Sequence, residues 1–326
     1  MRTYRRLAFV LVPLVVVFVV ATTVWLPYYS LGPGPAREVE PLIHVSGHPV
    51  YGSQGRFVMT SIRFSQLTAL GVFLAWLDPT RSVVARSTFY APGETTQQEE
   101  QRALSQMDQS KLAAAYVVLS RITGYPKEHG RGVLVVGTQA GCAADGNLFP
   151  GDLITRIDGA PVTGRNQASR LIDRAASGQR LSFDVRAAGQ SEQVDLVRRP
   201  CGGQQEPLVG VSLIPNFPFR VLIESGDIGG PSAGLMWALG LYDLLTPGDL
   251  TGGRMIAGTG EIGLDGTVYP IAGIGDKIVA AAKAGADVFF VPKDNAAEAQ
   301  PAGDHGMTLV TVASFQDALG YLERSG

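Results

Sequence analysis

The chain has 326 residues, 45% hydrophobic and 17% charged, with a net charge of −2. That length supports two domains of ordinary size and a sizeable core. No basic block lies beyond Arg6, which argues against nucleic acid as the main partner.

Arg2, Arg5 and Arg6 precede an uncharged run over 7–26, close to the roughly 20 residues that cross a bilayer as a helix. A cleavable signal has a shorter apolar core and a small-residue cleavage site. This run ends instead at Trp25, Tyr28 and Tyr29, residue types that suit an interface. The expectation is an uncleaved, single-pass anchor over 7–26 in the cell membrane, with 1–6 cytoplasmic and the rest extracytoplasmic. A cleaved signal is the other reading. Gly32-Pro33-Gly34-Pro35 reads as a break, which makes 27–36 a linker.

Beyond the linker, 56–64 alternates like a strand, and 67–77 is apolar and fits helix or strand. Thr96-Gln97-Gln98-Glu99 matches a capping box. The helix it opens runs to about Ile122, buries Met107, Leu112, Ala115, Tyr116 and Leu119, and stops at Gly124-Tyr125-Pro126. Short strands at 132–136, 153–157, 181–185 and 194–197, with one helix at 167–175, make a β-rich module that ends near Cys201-Gly202-Gly203. From 219 onward the pattern is α/β: strands at 220–223, 255–262, 268–271, 288–291 and 309–312, and helices at 231–244, 276–284 and 315–322. Cys142 and Cys201 are the only cysteines. An extracytoplasmic setting permits a disulfide between them, and two separate thiols is the alternative.

The sharpest local feature is Gly229-Gly230-Pro231-Ser232-Ala233-Gly234. A serine among glycines at a helix start is exposed and close to free N–H groups, which can hold an oxyanion. A plain helix cap is the competing reading, although a capping serine ordinarily precedes the proline. A serine nucleophile needs a base. His44, His48, His129 and His305 all fall in loop-like stretches, which weakens a Ser–His–Asp reading, and none has metal-ligand spacing. Lys277 is the better base. It falls in the first turn of a helix, where the dipole opposes a cation, and its neighbours Ala280 and Ala281 are small and apolar. Both effects lower a lysine pKa. An exposed, solvated lysine is the alternative. Lys283 has neither feature.

The stretches GGPSAGLMWALGLYD (229–243) and GTGEIGLDGTVYPIAGIGDKIVAAAKAGADVFFVPKDN (258–295) resemble the proteolytic domain of Lon proteases, and 107–115 resembles a helix early in that domain. The resemblance implies Ser232 as nucleophile, Lys277 as its dyad partner and Thr259 as the hydroxyl contacting that lysine, with Gly230 and Ala233 at the oxyanion. The module over 128–203 resembles a PDZ domain through Gly132-Val133-Leu134-Val135, Gly151-Asp152 and Ile157-Asp158-Gly159. The implied fold class is α+β: a Lon-type domain (ribosomal protein S5 domain 2-like) split into 37–127 and 204–326, with the PDZ domain inserted and one transmembrane helix in front. That order resembles the YlbL-type membrane-anchored proteases.

Two departures stand out. The chain has no G-x-x-x-x-G-K-[ST] loop, so ATP use is not expected, and no cofactor or metal is expected either. Gly229 stands where Lon proteases often carry an acid, with Asp227 displaced. The expected activity is ATP-independent serine endopeptidase action on peptides or unfolded extracytoplasmic proteins. A peptide is expected to add as a strand beside 133–136, its carboxylate held by Gly130-Arg131-Gly132. A PDZ fold used only for assembly is the alternative. A ring-shaped homo-oligomer follows from the resemblance only. The rival function is a catalytically silent, membrane-tethered PDZ scaffold.

Overall fold

The computed structural model describes residues 2–77, 82–187 and 189–325, with side chains from residue 11 onward. Met1 and the side chains of Arg2, Arg5 and Arg6, on which the expected cytoplasmic end rests, lie outside the described part.

A six-stranded sheet organises the protease-like part, in the order Thr308–Val312, Val288–Pro292, Met255–Gly258, Arg56–Thr68, Trp25–Glu38, Ser82–Ala85. The first four strands run parallel and the last two are antiparallel to their neighbours. Val288–Pro292 is buried at every position, as a parallel strand covered on both faces must be. One face packs against the long helix Thr96–Ile122, the helix Gly234–Leu245 and the C-terminal helix Phe315–Ser325, around Phe57, Trp237 and Phe290. The other face carries the helix Ile274–Ala284 against Val58, Ala257 and Phe289. Gly234–Leu245 is apolar nearly all round, which fits a helix central to a core.

Several expectations change. Residues 27–36 are not a linker: they lie within the strand Trp25–Glu38. Pro33 and Pro35 are tolerated because Ser82–Ala85 pairs only with 28–31 and the register shifts between Pro33 and Ala36, so the missing N–H groups fall on an open edge and a bulge. The long helix is capped by Thr95, one residue before the expected position, with a reciprocal box to Gln98. The 67–77 segment divides: Leu67 and Thr68 close the strand Arg56–Thr68, and Ala69–Leu77 is a helix. The expected strand 255–262 breaks at Thr259-Gly260.

The second unit is a β-sheet in the order Val211–Asn216, Gly130–Thr138, Leu153–Ile157, Arg180–Ala187, Gln190–Val197, with the helix Arg165–Asp173 against it. This unit does not stop at 203. The chain turns back after Cys201 and returns as Val211–Asn216 beside Gly130–Thr138. Cys142 and Cys201 form a disulfide that ties this return to the loop after Gly130–Thr138.

The first helix, Arg2–Thr23, covers most of the apolar run. Among the described residues no helix is long and apolar enough to cross a membrane, so the expected anchor has no support from the structure.

Candidate active site

Ser232 lies in a 3₁₀ turn, Pro231–Ala233, that leads into the buried helix Gly234–Leu245. The turn is pinned from the long helix: Ser110 Oγ donates to Pro231 O at 2.8 Å, and Gly230 N–H donates to Ala103 O at 2.7 Å. Gly234 allows this approach, since a Cβ there would stand 2.7 Å from both Ser110 Oγ and Ile262 Cγ2. On its far side, Ser232 O accepts from Gly260 N–H at 2.8 Å and from Thr259 Oγ1 at 2.9 Å.

Lys277 comes from the opposite face of the sheet. Its helix starts after Gly273, whose φ of 73° is the left-handed conformation that glycine adopts readily. Ile274, Lys277, Ile278 and Ala281 share the buried stripe of that helix, so the helical spacing itself drives a lysine into the core. Its Nζ lies 2.7 Å from Ser232 Oγ, 3.1 Å from Thr259 Oγ1 and 3.2 Å from Thr60 O. Among the described residues no carboxylate pairs with it. Burial alone pulls its pKa from 10.5 down to about 7, because an ammonium loses its hydration there. The structure thus joins three side chains singled out from sequence, Ser232, Lys277 and Thr259. Lys283, on the same helix, is exposed.

Thr60 went unnoticed in the sequence, as did Ala103 and Ser110 as supports of the turn. Their contributions are a carbonyl in a strand, a carbonyl in a helix and a small hydroxyl, none of which leaves a pattern. Gly230 is a correction: its N–H is committed to Ala103 and is not free for an oxyanion. In a 3₁₀ turn each N–H points back to the carbonyl three residues earlier, which directs the Ala233 N–H at Gly230 in this conformation. Gly229 is closely packed as well. A Cβ there would lie 2.7 Å from Ala103 Cβ, so the turn has no room for the acid common at that position.

Ser232 and Lys277 open onto a cleft of about 870 Å³ whose wall includes Phe64, Phe89, Arg102, Asp227 and Glu261. Burial raises the Glu261 pKa. No histidine lines the cleft. His44 faces Glu224 at 3.7 Å, His48 stacks on Phe219, and His129 contacts Gly130 O.

Residues 223–320 match the Lon protease (S16) C-terminal proteolytic domain. The chain is 32% identical over 160 residues to Lon protease 2 of Bacillus subtilis, covering 48% of this chain and 26% of that protein. It is 45% identical over 67 residues to the Lon protease of Roseiflexus castenholzii, covering 21% of this chain and 8% of that protein. The chain therefore spans only a minor part of the length of these relatives. Among solved structures, the PDZ domain of an SdrC-like protein from Listeria monocytogenes is 26% identical, with a TM-score of 0.24 over 25% of this chain and 86% of that chain.

The expected peptide edge at 133–136 is overturned. Gly130–Thr138 is flanked by Val211–Asn216 on one side and Leu153–Ile157 on the other, and Val133 and Val135 are wholly buried. The edges of this sheet are Val211–Asn216 and, on the far side, Gln190–Val197, and the edge beside Gly130–Thr138 is Val211–Asn216. It borders a groove of about 1190 Å³ shared with the helix Arg165–Asp173 and lined also by Leu208, Val209, Gly210, Tyr116 and Leu264. Gly132 and Leu134, also singled out for peptide contact, belong to the strand between the two partners and not to the groove.

Proposed function

We propose that the chain is an ATP-independent serine endopeptidase working through a Ser232–Lys277 dyad on peptides or unfolded extracytoplasmic proteins. The observation that carries this reading is the 2.7 Å contact between Ser232 Oγ and a buried lysine amine that has no charged partner among the described residues. The match of 223–320 to the Lon proteolytic domain supports the reaction class. Neutral Lys277 takes the Ser232 proton as Oγ attacks the scissile carbonyl. Thr259 and Thr60 O fix the amine on the line to Oγ. The oxyanion falls to the Ser232 and Ala233 amides once the Pro231–Ala233 turn relaxes around substrate. The amine then protonates the leaving nitrogen, and water releases the acyl group.

Peptide capture is assigned to the groove between Val211–Asn216 and Arg165–Asp173, where an open strand edge faces a helix. This replaces the 133–136 edge. The tether remains a proposal from the uncharged run that follows Arg6.

Unfolded casein incubated without ATP tests the assignment. The parent protein should cleave it, and Ser232→Ala and Lys277→Met should fall by roughly 10⁴-fold or more. Cleavage by Ser232→Ala at the parent rate would sink the reading.

A further inference from the structure

Two segments lack charge altogether: 7–36, between Arg6 and Arg37, and 64–77, between Arg63 and Asp78. They are distant in sequence, and the central sheet pairs them in register. Trp25 faces Thr68, Tyr29 faces Gln66, and Gly32 faces Arg63, the first charge on either strand. One pole of the molecule is thereby free of charge on both strands. The helix Ala69–Leu77 leaves the sheet at this pole and packs against the first helix and against both strands. It carries no polar side chain, and its surface is open: Trp76 is 78% exposed, and Phe73, Leu74 and Leu77 are more than half exposed. Trp25, Tyr28 and Phe64 form an exposed aromatic rim around its base.

The threonine hydroxyls at this pole are satisfied within the chain. Thr22 and Thr23 donate their hydroxyls to Phe18 O and Val19 O, and Thr68 Oγ1 accepts the Gly71 N–H that opens the short helix. A water-facing helix has no use for such a surface. Apolar side chains at the tip, an aromatic rim behind them, Arg86 level with the rim (it follows the Ala85 that pairs with Tyr28) and Arg63 behind it follow the order of a hydrocarbon–headgroup–water boundary.

We propose that Ala69–Leu77 is a second membrane contact: a short helix lying in the bilayer surface beside the first helix and seating the molecule on the lipid. At nine residues it is too short to cross. Phe64, on the rim, also lines the active-site cleft, so the seated molecule holds one end of its cleft at the lipid surface. The proposal rests on the tether reading of the first helix and is independent of the peptidase reading.

The test uses the full chain in vesicles of phosphatidylcholine and phosphatidylglycerol containing brominated phosphatidylcholine, with flotation after alkaline carbonate and tryptophan fluorescence as readouts. Trp237 is fully buried in the core, so Trp25→Phe and Trp76→Phe each isolate one surface signal. The expected result is a floated protein whose Trp76 component is quenched by about half, as for a ring ~5–10 Å into the boundary, with that quenching lost in Trp76→Phe. Floated protein with Trp25 quenched and Trp76 unquenched overturns the second contact and leaves the tether standing, including where a second copy shields Trp76. Protein that does not float overturns both.

Discussion

Lys277 draws its chemistry from its burial, and the sign of its pH dependence follows. The unfolded chain binds the lysine proton near the ordinary value of 10.5, and the folded chain binds it only near 7. Between those values the unfolded state holds the extra proton, so this group's effect on stability worsens as pH falls from about 10.5 to about 7 and is constant below. Lys277→Met keeps the apolar stem and removes the amine. Its melting temperature should equal or exceed the parent's at pH 7, and the gap should close above pH 10. Gly229 yields the opposite kind of prediction. Gly229→Asp restores an acid in the expected place, yet its Cβ meets Ala103 and strains the Gly230–Ala103 hydrogen bond. It should cost about 1–3 kcal/mol and lower activity, as read by thermal melts beside casein cleavage. Ser232 and Lys277 were legible in sequence because each occupies an unusual local position, a serine after a helix-opening proline and a lysine on an apolar stripe. The occupied Gly230 N–H was not legible, because its partner lies on a helix far away in the chain.

At the scale of elements, the instructive segment is Val211–Asn216. A turn at Cys201-Gly202-Gly203 looks like the exit of a module, and nothing local says that the chain turns back to pair with Gly130–Thr138. The pairing moves the open edge by one strand and moves the peptide groove with it. Ser169 is exposed on the helix wall of that groove. Ser169→Trp should fill the groove, weaken capture of long substrates and leave turnover of a short ester unchanged, so that KM rises and kcat holds. Equal loss on both substrates would place capture elsewhere. The disulfide closes a separation of 59 residues, and Cys142→Ser with Cys201→Ser should cost about 2–5 kcal/mol, measured by urea melts. The strand Trp25–Glu38 teaches the same lesson in reverse: its prolines and glycines imitate a linker, and only the short neighbour and the bulge explain how a sheet accepts them.

On the scale of the whole molecule, the long helix Thr96–Ile122 connects the parts. Its first half lines the cleft and pins the nucleophile turn through Ala103 and Ser110, and Tyr116 near its end reaches the groove. The α/β pattern from 219 onward and the inserted β-rich unit were readable from period and turn residues: Arg180–Ala187 alternates between buried and half-buried positions, and Val288–Pro292 is a short, wholly apolar run. The way the halves meet depends on contacts across more than a hundred residues, such as Lys277 to Thr60, and no local pattern encodes those.

The central claim is that neutral Lys277 activates Ser232. The most direct measurement is the rate at which a peptidyl phosphonate labels Ser232 as a function of pH, read by mass spectrometry without ATP. Labelling should fall on Ser232, decline about tenfold per unit below an apparent pKa near 7, and vanish in Lys277→Met. Labelling of another residue, or of Ser232 at an unchanged rate in Lys277→Met, would contradict the account.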